Sequence, residues 1–451
     1  MFPNPQEALP LPPQPNIEQY KRIAKDLLKA CKSGEPRAVH KWAEEWVESL
    51  VKLSALTITP WLPVMIERWI AEVDQFACGK LLGGGGDSGK CALTGAQFVI
   101  ARSQGFESWP KFTKHIKAIA RNNSSVSRFE TAADAIVGGD LETLKRLLRE
   151  EPELVRARSN REHGATLLHY VSANGVEGYR QKTPKNIVEI TELLLSADAE
   201  IDATADVYGG GWTALGLTAT SAHPAREGVQ IALLRTLSDH GARLDLPLTA
   251  GKPSLIHSCL ANGQPKAAEF LAGCGAPVDL VEAAGLGRLD LVKSYFDESG
   301  APQPYVNRQG IESAYFCSCW CGQPEAAEFL LERGIDPGLE NADARNGLHC
   351  AAYGAHVDTV KVLLQHGSPV DVRDKAFRAT PLDVALWRWD NASDVAVRER
   401  CYELVALLAR AGAKLDPQQW RNPDSDSSPM LEKIKSDGRM LAALRGEMQA
   451  K

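Results

Sequence analysis

Apolar positions recur at three- and four-residue spacing along most of the chain, which is the pattern of amphipathic α-helices. Early in the chain, the strongest such segments are NIEQYKRIAKDLLKACKSGEPRAVHKWAEEWVESLVKL, from Asn16, and TGAQFVIARSQGFESWPKFTKHIKAIA, from Thr94. The segment WLPVMIERWIAEVDQFACGKLL, from Trp61, has the same spacing. The pattern therefore predicts a helical N-terminal region over residues 16–120, and it leaves the fold of residues 51–91 open.

A repeat of about 33 residues follows, from residue 129 to residue 416. Each copy has a polar turn, a short helix rich in small residues, a longer helix that ends in Leu-Leu or an equivalent pair, and a glycine that can terminate this helix. The side chains expected to cap the first helix of each clear copy are Thr166, Thr213, Ser254, Ser313, Asn346 and Thr380. Two degenerate copies, from Phe129 and Val278, bring the array to about eight units.

A unit of this length with Thr-Pro-Leu-His-x-Ala at its first helix resembles the ankyrin repeat. The resemblance implies an all-α solenoid of stacked helix-turn-helix units joined by turn or hairpin loops, in which each unit packs only on its neighbours. The segment Ala96–Pro110 resembles a helical region that precedes ankyrin repeats in many bacterial proteins. This second resemblance implies a bacterial origin and a helical cap on the first repeat.

The two ends of the chain and three insertions lie outside the repeat pattern. The proline-rich residues 1–15 predict a disordered or extended leader, and they lack the basic and apolar segments of a secretory signal. Residues 417–451 predict a C-terminal tail with one helix. The insertions follow residues 175, 222 and 388, and either a binding role or neutral drift would explain them.

Net charge, apolar stretches and cysteine content limit the kind of partner and the cellular compartment that the sequence favours. The net charge is -6, which does not favour a nucleic acid or a membrane surface as a partner. No apolar stretch reaches the roughly 18 residues of a membrane-spanning helix. Ten cysteines without a secretory signal predict reduced thiols in a cytoplasmic protein.

The stretch GGGGDSGKC, from Gly83, comes within one residue of the phosphate-binding loop G-x-x-x-x-G-K-S/T. Cys91 stands where such a loop has the hydroxyl that binds Mg²⁺, and a thiol is a poor ligand for this ion. The segment before it also has the pattern of a helix, whereas a phosphate-binding loop follows a β-strand. A glycine turn between two helices is favoured, and a degenerate nucleotide site at residues 84–91 stays as the alternative.

No arrangement typical of an enzyme is found. Cys317 and Cys319 fall at small or apolar helix positions of the repeat, and no second ligand pair accompanies Cys321. His169, His257 and His349 recur at one repeat position, which favours structural hydrogen bonds over a single catalytic base. The sequence predicts no catalytic residue, no metal, no cofactor and no small-molecule substrate.

The family resemblance implies that partner contacts come from turn tips and from variable positions on the inner helices. Four residues beyond the histidine position, three successive copies carry Trp320, Tyr353 and Trp387. Equivalent positions of stacked repeats form a column, so we expect an aromatic ladder, with Arg388 at the next variable position. In the alternative interpretation these rings pack against the insertion that follows residue 390 and cover the groove themselves.

A second candidate contact is the turn that contains Tyr208 and Trp212, beside three glycines, which could present an indole from a mobile tip. The sequence thus predicts a cytoplasmic, non-enzymatic adaptor or scaffold that binds a protein in the concave groove of the array. Three other interpretations stay open: a nucleotide-responsive protein, a secreted host-targeted bacterial effector, and an array without a specific partner.

Overall fold

The computed structural model of the protein describes residues 4–35, 37–54, 62–82, 91–121, 123–245, 253–420 and 428–447. These residues belong to two compact units, Met1–Leu255 and Ile256–Lys451, called here the N-terminal and the C-terminal unit. In the described residues, the regular secondary structure is helical apart from one pair of two-residue strands and two isolated bridges. The predicted all-α fold class is confirmed.

The N-terminal unit begins with five helices that surround an aromatic core. They are α1 (Ile17–Lys32), α2 (Ala38–Leu53), α3 (Leu62–Leu81), α4 (Leu93–Ser103) and α5 (Trp109–Ile119). The Asn16 side chain caps α1 by accepting a hydrogen bond from the Glu18 N–H, and Ser108 caps α5 in the same way. The largest apolar side chains in this core are Tyr20, Trp42, Trp46, Trp69, Phe106 and Phe112.

Cys31 at the end of α1 and Cys91 before α4 form a disulfide, with their Cα atoms 6.1 Å apart. This separation lies within the range that a disulfide spans. The expectation that all cysteines are reduced is wrong for this pair, because the two residues meet only when α1 and α4 pack together. The other eight cysteines, all within described segments, are free.

From residue 4 onward, the proline-rich leader has little regular structure and packs on the helical core. Pro5–Glu7 forms a short 3₁₀ helix, and Glu7 makes an ion pair with Arg68 of α3. Leu9 is fully buried, and its N–H donates to the Ser103 carbonyl over 2.8 Å. The leader is ordered because proline already restricts its backbone, while Ala8 and Leu9 bury apolar surface against the helical core.

Replacing Leu9 by alanine is expected to lower the free energy of unfolding of the N-terminal unit by about 2–3 kcal/mol, since it removes buried methyl groups. Urea denaturation followed by circular dichroism measures this change. The matched control is Leu53→Ala, because Leu53 is 47% exposed and its truncation should cost much less. Equal losses in the two variants would mean that the leader does not contribute to the core.

The repeats of the N-terminal unit contain one short hairpin among their helices. Strands β1 (Thr204–Ala205) and β2 (Trp212–Thr213) pair antiparallel, with Ala205 opposite Trp212. The elements in order are α6 (Ser125–Gly138), α7 (Leu141–Glu150), 3₁₀ segments Pro152–Arg156, Leu167–Ser172 and Gly178–Arg180, α8 (Ile187–Ser196), β1 (Thr204–Ala205), β2 (Trp212–Thr213), α9 (Ala214–Thr220), α10 (Ala222–Arg226) and α11 (Gln230–Asp239). The insertion after residue 222 thus supplies α10.

Five pairs of helices form the repeats of the C-terminal unit. They are α12 (Leu255–Ala261), α13 (Pro265–Gly273), α14 (Leu280–Gly285), α15 (Leu289–Ser294), α16 (Arg308–Cys321), α17 (Pro324–Glu332), α18 (Gly347–Gly354), α19 (Val357–Gln365), α20 (Pro381–Asp390) and α21 (Val395–Arg410). The 3₁₀ segment Pro417–Trp420 and helices α22 (Pro429–Ser436) and α23 (Gly438–Leu444) follow. The predicted tail therefore has two helices, and Met430, Ile434 and Met440 bury their side chains in the core of this unit.

Most of the capping positions expected from the repeat begin a helix. Thr213, Asn346 and Thr380 accept hydrogen bonds from the first turns of α9, α18 and α20. Ser313 does not cap a helix, because α16 already begins at Arg308 with Asn307 as its cap. In the described parts of the chain, no helix is both long and apolar enough to cross a membrane.

A buried ionic network, which we call the ion cluster, joins several segments of the N-terminal unit. It consists of Glu130 of α6, Arg161, and Glu177 and Arg180 from the insertion after residue 175. Arg161 approaches Glu130 and Glu177 to 2.8 and 2.9 Å, and Arg180 approaches Glu130 to 2.7 Å. Burial raises the pKa of Glu130, but the two guanidinium groups outweigh this and lower it to about 2. This insertion thus packs within its own unit.

Candidate partner-binding site

Three aromatic side chains on the inner helices of the C-terminal unit stack into a column, the aromatic ladder. Trp320 of α16 and Tyr353 of α18 have ring centroids 4.8 Å apart and planes inclined by 17°. Tyr353 and Trp387 of α20 have centroids 5.6 Å apart and planes inclined by 13°. The predicted ladder is present, because equivalent positions of neighbouring repeats are displaced by a nearly constant step.

The ladder is not covered by the described part of the chain. Tyr353 is 44% exposed and Trp387 is 42% exposed, while Trp320 is half-buried. The insertion after residue 388 lengthens α21 instead of closing over the rings, and Trp389 turns inward against Tyr402. Large aromatic rings that remain exposed side by side form an apolar surface of the kind found at binding sites.

A cavity of about 590 Å³ lies beside the ladder. Phe377, in the turn before α20, and Trp420, in the 3₁₀ segment, add two aromatic side chains to its wall. Phe377 is 71% exposed, and the Trp420 Nε1–H donates to Asp383 Oδ1 over 3.1 Å. A cavity of this size falls in the range of ligand pockets, so it can hold a large apolar side chain.

Neither of these two aromatic residues was among the contacts predicted from the sequence. Phe377 occupies a turn tip, and the resemblance implied contacts from turn tips, so this position could have been found. Trp420 gave no such signal, because it lies beyond the repeats and reaches the cavity only through the course of the chain after α21.

The carboxylates in the wall of the cavity are already satisfied within the protein. Asp374 accepts hydrogen bonds from the Phe377 N–H at 2.8 Å and from Arg345 Nε at 3.3 Å. Burial raises the pKa of Asp374, but these hydrogen bonds outweigh it and the pKa is lowered. Asp383 accepts from the Thr380 N–H as well as from Trp420. The carboxylates therefore hold the wall in place, and the rings are what the cavity offers to a partner.

Arg388 lies next to the ladder on α20, and its guanidinium is incompletely satisfied. The side chain is half-buried, and its Nε–H is buried without a hydrogen-bond partner. It lies near His356, whose Nε2 hydrogen-bonds to the Trp320 carbonyl at 3.0 Å. Burial is the main cause that lowers the pKa of His356, and the charges of Arg400 and Arg388 add to it.

The turn that contains Tyr208 and Trp212, the second predicted contact, is tied to its own unit by a strand pair and ring contacts. Trp212 stands in strand β2, and its Nε1 is buried without a hydrogen-bond partner. The Tyr208 hydroxyl lies 2.8 Å from Asn174 Oδ1, and its ring meets the Trp212 ring edge-on with centroids 6.2 Å apart. The hairpin and these contacts hold Trp212 in strand β2, and partner contact by this turn stays a prediction. Tyr208 keeps 43% of its surface exposed.

Two of the three recurring histidines, His349 and His169, make the structural hydrogen bonds that their repetition suggested. His349 Nδ1 accepts from the Asn346 N–H, and its Nε2 donates to the Ala379 carbonyl at 3.0 Å. His169 makes the same pair of bonds, to Thr166 and to the Trp212 carbonyl. Each imidazole therefore ties its own helix start to the turn of the next repeat.

The sequence raised two possible ligand sites, a degenerate nucleotide loop at residues 84–91 and a metal site at Cys317–Cys321. Residues 83–90 lie outside the described part of the chain, but helix α3 comes before them where a phosphate-binding loop needs a strand. Cys91 is bonded to Cys31, so it cannot act as a free ligand while this bond is intact. Cys317 and Cys319 are buried, and within the described ranges no group of three or more histidine, cysteine or acidic side chains could hold a metal ion.

Comparison with known proteins gives one family match, to the model of ankyrin repeats in three copies over residues 315–419. The cyclin-dependent kinase 4 inhibitor B of Bos taurus is 33% identical over 117 residues, which are 26% of this chain and 86% of that protein. An L-asparaginase of Dirofilaria immitis is 35% identical over 95 residues, only 14% of its own length. The solved human ASB11 ankyrin repeat domain aligns with 63% of this chain and 99% of its own, at 18% identity and a TM-score of 0.33. The ladder and Arg388 lie inside the matched residues.

Proposed function

Since this chain belongs to the ankyrin-repeat proteins, we propose that it is a non-enzymatic adaptor that holds a protein partner against the aromatic ladder. Ankyrin repeats are protein-interaction modules, so the repeats indicate a protein partner. The observation that carries the proposal is the exposed stack of Trp320, Tyr353 and Trp387 beside an apolar cavity. Tryptophan, tyrosine and arginine are the residues most often found to dominate binding energy at interfaces.

The proposed mechanism is recognition by a surface that is already ordered. Each ladder ring is held by stacking on the next, so binding would immobilise few further side chains and would cost little conformational entropy. The proposal includes a cytoplasmic location and excludes nucleic acid, a membrane surface and a small-molecule substrate as the principal partner. The net charge of -6 supports the exclusion of nucleic acid.

No observation on the described residues favours a nucleotide-responsive protein. A nucleotide-responsive site would require Cys91 to be replaced functionally by another Mg²⁺ ligand, because its sulfur is bonded to Cys31. The Cys31–Cys91 disulfide is compatible with a secreted, host-targeted effector, because disulfides persist in oxidising compartments, whereas the eight free cysteines support the cytoplasmic location.

Replacing Trp320, Tyr353 and Trp387 together by alanine is expected to abolish capture of the partner, with a loss of at least about 2 kcal/mol for each dominant contact. The measurement is an affinity pull-down from a lysate of the source organism, with the captured proteins identified by mass spectrometry. Far-UV circular dichroism verifies that the variant is folded.

The matched control is Tyr305→Ala, because Tyr305 is 72% exposed in the same unit but is not in the ladder. This control should capture the same proteins as the unmodified chain. If the folded triple variant also captures them, the ladder is not the binding site.

A further inference from the structure

Two arginines beside the ladder have no carboxylate partner in the described part of the chain, although acidic residues lie near them in the sequence. Neither Arg388 nor Arg400 makes an ion pair there. The nearby carboxylates are bonded to other cations: Asp390 to Lys433, Glu399 to Arg439, and Glu403 to Lys361. The fold therefore leaves two guanidinium groups unneutralised next to its exposed aromatic surface.

The side chain of Arg388 also lacks a hydrogen-bond acceptor. Its Nε–H is buried, and a buried donor without an acceptor costs about 1–3 kcal/mol. A guanidinium offers five donors in a planar fork that matches a carboxylate. The two terminal nitrogens of Arg388 have no partner in the described residues either, and they are not buried, so a carboxylate brought by a partner can pair with them and neutralise the charge.

The two arginines and the cavity are placed so that one segment could reach both. Arg388 follows Trp387 directly on α20, and Arg388 and Arg400 both lie close enough to His356 to affect its pKa. The His356 ring is bonded to the carbonyl of Trp320, the first residue of the ladder. Trp387 itself belongs to the wall of the cavity. The positive charges thus adjoin the ladder, and the ladder adjoins the cavity.

We propose that the partner presents an acidic peptide segment, with a large apolar side chain in the cavity and a carboxylate on Arg388. This inference rests on the proposed function and adds the chemistry of the partner to it. The chain as a whole carries a net charge of -6, so its overall field repels acidic segments. An acidic segment therefore gains binding energy only if it places its carboxylate on the local positive charge of Arg388. The combination of a negative overall charge and a positive site favours specific over non-specific binding of acidic segments.

The test uses the full chain and a display library of short random peptides as the probe. The chain and the triple alanine variant of the ladder are screened in parallel, and peptides enriched only by the unmodified chain are sequenced. We expect these peptides to combine Asp or Glu with Trp, Phe or Leu a few positions away. Affinities of the enriched peptides are then measured by fluorescence anisotropy.

In these measurements Arg388→Gln is expected to weaken binding about tenfold or more, because it removes a charge-assisted hydrogen bond. Arg388→Lys should recover part of the affinity, since it keeps the charge without the planar fork. Raising the ionic strength from about 0.05 to about 0.5 M should weaken binding to the unmodified chain and should have little effect on Arg388→Gln. The control Arg22→Gln, at an exposed arginine of α1, should bind as the unmodified chain does.

The outcomes separate this inference from the proposed function. If the enriched peptides lack acidic residues, or if Arg388→Gln binds them equally well, the inference of an acidic partner is wrong while a ladder-dependent site remains. If no peptide is enriched by the unmodified chain over the ladder variant, both the acidic partner and the binding role of the ladder are contradicted.

Discussion

Replacing Arg161 by methionine is expected to lower the free energy of unfolding of the N-terminal unit by about 3–5 kcal/mol. Arg161 is 3% exposed and lies between the carboxylates of Glu130 and Glu177, which are themselves buried. Without it, two negative charges share a dry site with Arg180 as their main counter-ion. Breaking a buried ion pair by removing one partner costs more than the pair contributes, because the remaining charge cannot be hydrated.

Urea denaturation monitored by circular dichroism measures this loss, and hydrogen exchange over residues 125–245 assigns it to the N-terminal unit. The matched control is Arg156→Met, because Arg156 pairs with Asp198 at the surface, where both side chains are more than half exposed. An exposed pair contributes at most about 1 kcal/mol. Comparable losses in the two variants would show that the ion cluster does not stabilise this unit.

Lowering the pH from 7 to 4 is expected to destabilise the same unit by about 3 kcal/mol for each of two buried histidines. Burial lowers the pKa of His115 and of His169 from the usual 6.5 to about 4. Both are therefore neutral in the folded protein, and protons bind preferentially to the unfolded chain. Their contribution is complete above pH 6.5 and is lost as the pH falls toward 4. Glu130 adds a further loss of stability as the pH falls from 4.5 to about 2, because its folded-state pKa lies below its usual value.

The measurement is the free energy of unfolding at a series of pH values, whose slope gives the number of protons taken up. His115→Gln should reduce the slope between pH 6.5 and 4 by about one proton. The control Gln75→Ala, at an exposed position of α3, removes no titratable group and should leave the slope unchanged. A slope that is the same in all three proteins would contradict the assignment to buried histidines.

The aromatic ladder of the candidate site could be predicted from the sequence, because equivalent positions in successive repeats occupy equivalent places in the fold. Once His349 and its equivalents are aligned, counting four positions places Trp320, Tyr353 and Trp387 in one column. Phe377 and Trp420 could not be placed in this way. One stands in a turn whose course depends on the next repeat, and the other lies beyond the array.

What the sequence by itself determined is local and periodic: the helices, most of their caps, the histidine bridges and the order of the ladder. These follow from the apolar spacing and from the near-constant step between repeats. Only the tertiary structure decided that the leader is folded, that Cys31 meets Cys91, and that Arg161 is buried between two glutamates. It also left Arg388 without a counter-ion in the described residues. Such features depend on contacts between residues far apart in the chain, and no period in the sequence encodes which of them meet.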